Sequence, residues 1–142
     1  MLRKKNWKLD RLATMDALAG MPKRTLREVC AITTLVRLPA GKVLWEQDEI
    51  AQEAFLLLNG ELELTWSGTP LETVQPGVLV GGVGLAESAP RVATATTVTE
   101  VEAFVMSRAE YRRLLRLRPE VAGRVQAGHR ARFAGLRTAA VA

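Results

Sequence analysis

The residues best suited to chemistry lie between Pro76 and Thr97, in the stretch PGVLVGGVGLAESAPRVATATT. It opens on a Pro-Gly turn and places further glycines at Gly81, Gly82 and Gly84. It then reaches Pro90-Arg91, where a segment of small and β-branched residues begins. Arg91 is the only basic residue between Lys42 and Arg108. Glycines let backbone N–H groups approach a phosphate closely, and a guanidinium pairs with its oxygens through charge-assisted hydrogen bonds. The pattern predicts an anion cradle with Arg91 as its cation. Two plainer readings stand beside it: the glycines serve only as turns, and Arg91 pairs with Glu87 or with an acid of a neighbouring loop.

Other chemistries are poorly supplied. The chain has one histidine, His129, and one cysteine, Cys30. A metal centre built on strands needs a cluster of His and carboxylate ligands, and a nucleophilic triad needs a histidine beside its serine. His129 falls in the last predicted helix, away from any strand. A lone cysteine excludes an internal disulfide and a Cys-based metal cluster, and Cys30, on an apolar helical face, reads as a buried thiol. The expectation is a protein that is not an enzyme, with no metal and no required cofactor.

The elements that must position the cradle follow from periodicity. Leu9, Leu12, Met15 and Leu18 predict an amphipathic helix over 8–19. Gly20-Met21-Pro22 breaks it, and Pro22 suits the first turn of a second helix over 23–32. From Thr33 the pattern changes to short strands: 33–38, 42–46, 54–58, 61–66, 71–75, 93–98 and 101–106. Turns fall at Pro39-Ala40-Gly41, Ser67-Gly68-Thr69-Pro70 and Pro76-Gly77. Asn59-Gly60 is a type I′ hairpin signal. Ala54–Leu58 is continuously apolar, as a buried strand is. Ser107 and Glu110 form a capping-box pattern ahead of a helix that buries Tyr111, Leu114 and Leu115. Another helix is expected from Pro119 toward Arg137. Its glycines, Gly123, Gly128 and Gly135, each cost about 1 kcal/mol relative to alanine, so it needs a surface to pack on, or serves as a dimer contact.

This order, helices then about eight strands then helices, predicts a mainly β single domain over 1–142: N-terminal helices over 1–32, an eight-stranded jelly-roll barrel over 33–106, and C-terminal helices over 107–137. At 142 residues, 48% hydrophobic and 25% charged, the chain can bury a sizeable core. No run approaches the ~18 apolar residues of a membrane helix. The basic N-terminus has no apolar stretch behind it, so the expected compartment is the cytoplasm. The net charge of +5 hides a division: residues 1–30 carry eight Lys/Arg against three Asp/Glu, residues 31–106 three against ten, and residues 107–142 nine against two. The basic ends suit an acidic protein surface, in the same chain or another, better than they suit DNA. Only some 20 residues follow Pro119, too few for a recognition-helix pair.

With these landmarks in order, the chain from about Leu9 to Val125 resembles a cyclic-nucleotide-binding domain of the catabolite-activator-like and protein kinase A regulatory-subunit-like type. The PAG turn, the Leu58-Asn59-Gly60 hairpin and the Pro76-Gly77 turn fall in register with the family. Its phosphate-binding cassette reads roughly Phe-Gly-Glu-Leu-Ala-Leu, five residues, Arg-Ser-Ala-Thr. This chain reads Val80-Gly81-Gly82-Val83-Gly84-Leu85, five residues, Arg91-Val92-Ala93-Thr94. The resemblance implies a regulatory module that senses cAMP, cGMP or a related phosphate ligand. It implies a ligand-binding set of Gly81, Gly82, Val83, Gly84, Leu85, Arg91, Val92 and Ala93, with Arg91 on the phosphate.

The departures are equally specific. Gly82 stands where the family has a glutamate for the ribose hydroxyl, and Val92 where it has a hydroxyl residue for the phosphate. Two hydrogen bonds with charged partners, at about 1.5–3 kcal/mol each, amount to about two to four decades of affinity if additive. The family's loop glycines are replaced by Asp48 and Ala51, and the acidic Asp48-Glu49 discourages an anion nearby. Two functions from different classes follow: a cyclic-nucleotide sensor, or a degenerate domain that serves as an assembly or protein-interaction module. The first carries the expectation that Gly82→Glu raises nucleotide affinity.

Overall fold

The computed structural model of the chain describes residues 3–82, 85, 89–121, 123 and 124. Helix α1 (Arg3–Ala13), a 3-10 turn (Asp16–Leu18) and α2 (Lys23–Ile32) lead into eight strands. These are β1 (Thr34–Leu38), β2 (Val43–Trp45), β3 (Glu53–Asn59), β4 (Leu62–Trp66), β5 (Thr69–Val74), β6 (Leu79–Val80), β7 (Thr94–Thr97) and β8 (Val101–Ser107). Helix α3 (Arg108–Leu117) follows, and helical backbone resumes at 119–121. The strands form two four-stranded sheets, ordered β1-β8-β3-β6 and β2-β7-β4-β5, with antiparallel pairing throughout. This is the expected mainly β, eight-stranded jelly roll with flanking helices.

The pattern of β3 explains the layering. Phe55 and Leu57 point between the two sheets, where they meet Trp45, Leu62, Leu64 and Ala103. Ala54, Leu56 and Leu58 point the other way, onto Leu12, Leu26, Val29 and Tyr111 of the helices. Burial on both faces is why this strand reads as an unbroken apolar run. The first sheet thus separates the barrel interior from a second core made with the helices.

The N-terminal periodicity resolves into two elements. Leu12, Met15 and Leu18 are all buried, but a spacing of three does not hold one face of a 3.6-residue helix. The α-helix stops at Ala13, and the chain tightens into the 3-10 turn, whose period is three. Pro22 is the N-cap of α2 rather than a residue inside it.

The Asn59-Gly60 expectation is corrected. β3 and β4 lie in different sheets, so this is a corner and no hairpin. Only Gly60 has positive φ, at 88°. Its missing side chain lets the carbonyl of Glu100 pass against it. The type I′ turn is at Ser67-Gly68, where both residues have positive φ, 49° and 82°. Thr69 and Pro70, expected in that turn, belong to β5, an edge strand where proline is tolerated. Ser107 caps α3 as expected, accepting a hydrogen bond from the Glu110 amide at 3.3 Å.

Several basic residues of the helices are internal fasteners. Lys8 Nζ donates to the carbonyls of Cys30 and Thr33, each at 2.6 Å, closing the C-terminal end of α2. Arg118 pairs with Glu28 at 2.5 Å. Cys30 is half-buried at the margin of the helical core. His129 and the rest of the predicted final helix beyond residue 124 lie outside the described residues. No described helix is long and apolar enough to cross a membrane, and no metal-binding cluster of His, Cys, Asp or Glu occurs among the described residues.

Candidate functional site

The site is built around one arginine drawn into the barrel. Its backbone is fixed first. Ile50 bridges Pro90, the Arg91 amide donates to the Glu49 carbonyl, and the Asp48 amide donates to the Arg91 carbonyl, both at 2.8 Å. The loop between β2 and β3 therefore pairs with the segment that carries Arg91. Asp48 holds a left-handed φ of 73° there, a conformation that asparagine and aspartate tolerate better than most residues.

The Arg91 side chain is buried, with 6% exposure. Nη1 donates to the Gly81 carbonyl at 3.0 Å and Nη2 to the Glu53 carbonyl at 2.5 Å. The guanidinium carbon lies 3.9 Å from the centre of the Trp45 ring, in the range of a cation–π contact. Nε is buried with no hydrogen-bond partner. Among the described residues the hydrogen bonds of Arg91 go to main-chain carbonyls and not to a carboxylate. Glu87, the alternative partner, lies outside the described residues. Burial pushes the guanidinium down to about 10, while the Glu53 and Glu49 carboxylates favour its charged form and Arg108 opposes it. At neutral pH the group stays a cation.

The glycines around it are used for close approach. Gly81 has φ of 87°. A side chain there would run into Arg91 Nη1 and stand 3.1 Å from the Trp45 ring. Gly82 is different: a Cβ would point 2.6 Å from the Tyr111 hydroxyl and 3.0 Å from Leu79. That direction runs into α3, so a glutamate at 82 has no ready path, and the structure gives no support to the expected gain from Gly82→Glu. Leu85 is fully buried, and its carbonyl accepts from Arg112 Nε at 3.0 Å. Val92 is exposed. Ala93 is buried and its carbonyl accepts from Trp45 Nε1 at 2.8 Å. Val83 and Gly84, the remaining members of the predicted set, lie outside the described residues.

Three residues of this arrangement were not singled out from sequence. Glu53 contributes only a carbonyl, for which no side-chain signal exists. Tyr111 was assigned to the core, and it is fully buried; its hydroxyl faces the Gly-rich segment and has no partner. Trp45 was legible only as a strand residue. The register of β2 on β7 shifts between Val43 and Trp45, and such a bulge re-aims a side chain. Val43 is left exposed while Trp45 is buried.

Known proteins share this fold. The sequence model of the cyclic nucleotide-binding domain family matches residues 35–118. The catabolite activator protein of Thermus thermophilus superimposes with a TM-score of 0.73 at 26% identity, over 88% of this chain and 62% of that one. A second cyclic-nucleotide-binding domain of a protein kinase A regulatory protein, solved with Sp-2Cl-cAMPS, gives 0.81 at 18% identity, over 95% of this chain and 92% of that one. The regulatory domain of Toxoplasma gondii PKA, crystallised with cAMP, gives 0.74 at 18% identity over 80% of this chain. The present chain spans 46% of that Toxoplasma chain.

Proposed function

The chain belongs to the cyclic nucleotide-binding domain family, and from that premise we propose that it is a non-catalytic regulatory module. It senses a cyclic nucleotide or a related phosphate ligand through Arg91 and the segment 81–93. The observation that carries this reading is the state of Arg91. It is a buried cation with main-chain carbonyls on its ends and an Nε–H with no partner. Burying a cation with no carboxylate hydrogen-bonded to it is costly, and an anionic phosphate supplies what the carbonyls do not. The phosphate oxygens would exchange for one or both carbonyls and take the Nε–H.

The same contacts give the site a route to a response. Gly81 and Gly82 begin the segment that ends on Arg91. Tyr111 and Arg112 of α3 meet that segment at Gly82 and at the Leu85 carbonyl. A ligand that draws the segment toward Arg91 must break or carry these contacts, and so biases the position of α3.

The test is a thermal-unfolding series with cAMP, cGMP, 5′-AMP and inorganic phosphate, each at millimolar concentration. A ligand at one hundred times its Kd stabilises the folded state by about 2.7 kcal/mol. The expected result is a clear rise in Tm with cAMP or cGMP and less with 5′-AMP. No shift with either cyclic nucleotide overturns the sensor and leaves the assembly module.

A further inference from the structure

We propose that Trp45 is the positioning residue of this site: its ring is the platform that holds the Arg91 guanidinium plane ready for the anion. The proposal rests on the phosphate-binding reading above, and it assigns to β2 a role that no glycine or arginine of the 76–97 stretch can fill.

A free arginine side chain samples many rotamers, and an anion that must gather it loses affinity to that ordering. Here the plane is fixed from one face by the indole, at 3.9 Å. The indole is itself fixed three ways. Its Nε1–H donates to the Ala93 carbonyl at 2.8 Å. Its ring packs on Phe55, with centroids 5.7 Å apart. The bulge between Val43 and Trp45 turns it inward. Gly81 completes the fit, because any side chain there would meet both the guanidinium and the indole. One face of Arg91 is thus closed, two of its nitrogens are committed to carbonyls, and the unpartnered Nε–H is held in one place. Leucine at 45 would fill much of the volume but would carry no ring quadrupole to hold a cation.

The experiment compares wild type, W45F and W45L by two readouts. The first is the 15Nε–1Hε resonance of Arg91 in the ligand-free protein, assigned with R91K. The second is the Kd for cAMP by titration. Trp45 as platform predicts an Arg91 Hε resonance shifted upfield by the ring current in wild type, retained in part in W45F and lost in W45L. It predicts cAMP binding within about threefold of wild type for W45F and about five- to thirtyfold weaker for W45L. Should W45L not fold, W45M, whose flexible chain fills the same space, takes its place in both readouts. An unshifted wild-type resonance overturns the proposal, and so does W45L or W45M binding as tightly as wild type. If wild type binds neither cAMP nor cGMP, the ligand reading fails, and the ring-current measurement still decides the platform.

Discussion

Replacing Arg91 with methionine separates an arginine kept for binding from one kept for stability. The magnitude follows from its surroundings. Burial that brings the guanidinium down to about 10 costs roughly 3 kcal/mol relative to its value in water. The cation–π contact with Trp45 returns about 2 kcal/mol when desolvated. Deleting the side chain also takes a donor from the carbonyls of Gly81, which is half-buried, and Glu53, which is exposed, at about 0.5–1.5 kcal/mol each. These terms nearly cancel, so the free protein is expected to change by no more than about 2 kcal/mol, in contrast to the 3–5 kcal/mol typical of breaking a buried ion pair. Urea denaturation of both proteins measures this, with the m-value as a check that the unfolding transition is the same. Repeating it with saturating cAMP should raise the midpoint for wild type and leave R91M unmoved. A loss of 3 kcal/mol or more in the free protein refutes the reasoning, because Arg91 would then be a structural ion-pair member. An R91M midpoint that still rises with cAMP refutes it equally.

Other consequences are sharp. Tyr111 is the only tyrosine, and burial pushes its phenol well above the usual value. A folded-state value above the unfolded one means that its contribution is fully present below about pH 10 and is lost as pH rises beyond it. Absorbance at 295 nm should therefore show no tyrosinate until the protein unfolds in alkali; a reversible midpoint near 10 in folded protein contradicts this. Tyr111→Phe removes a buried hydroxyl with no partner and should raise stability by about 1 kcal/mol, read by urea denaturation; a loss of that size would mean that the hydroxyl has a partner. Gly82→Ala aims a methyl at that hydroxyl and should cost about 1–3 kcal/mol, part of it recovered in Gly82→Ala/Tyr111→Phe; full stability in the single variant contradicts the packing. Ser107→Ala removes the cap of α3 and should cost about 1 kcal/mol, checked by the same denaturation; no loss would show that the cap contributes nothing.

The barrel was legible in the sequence because its strands carry two kinds of pattern at once. The unbroken apolar run 54–58 marks a strand buried on both faces, and the alternation of Leu62 and Leu64 with Glu63 marks one buried on a single face. Both are read directly from side chains. What failed depended on partners distant in sequence. Asn59-Gly60 carries hairpin chemistry, yet the glycine is there because the Glu100 carbonyl crosses it. β6 is only Leu79–Val80, too short for any period. In the site, Arg91 stood out as a lone cation, and its ten-residue spacing from Gly81 corresponds to a hydrogen bond between the two. Trp45 did not stand out, since the bulge that turns it inward is a property of the β2–β7 pairing. Gly82 looked like a missing carboxylate. The structure shows that its bare face also admits the Tyr111 ring of α3, a contact 29 positions along the chain that no local pattern records.

If Arg91 receives a cyclic phosphate, isothermal calorimetry reads that contact as heat. Titrating cAMP, and separately cGMP, into wild type and into R91M under identical buffer and salt isolates the one side chain. Wild type should give saturable heat with at least one of the two nucleotides, and R91M none at the same concentrations. Equal binding by both proteins, or no heat from wild type with millimolar cAMP and cGMP, contradicts it.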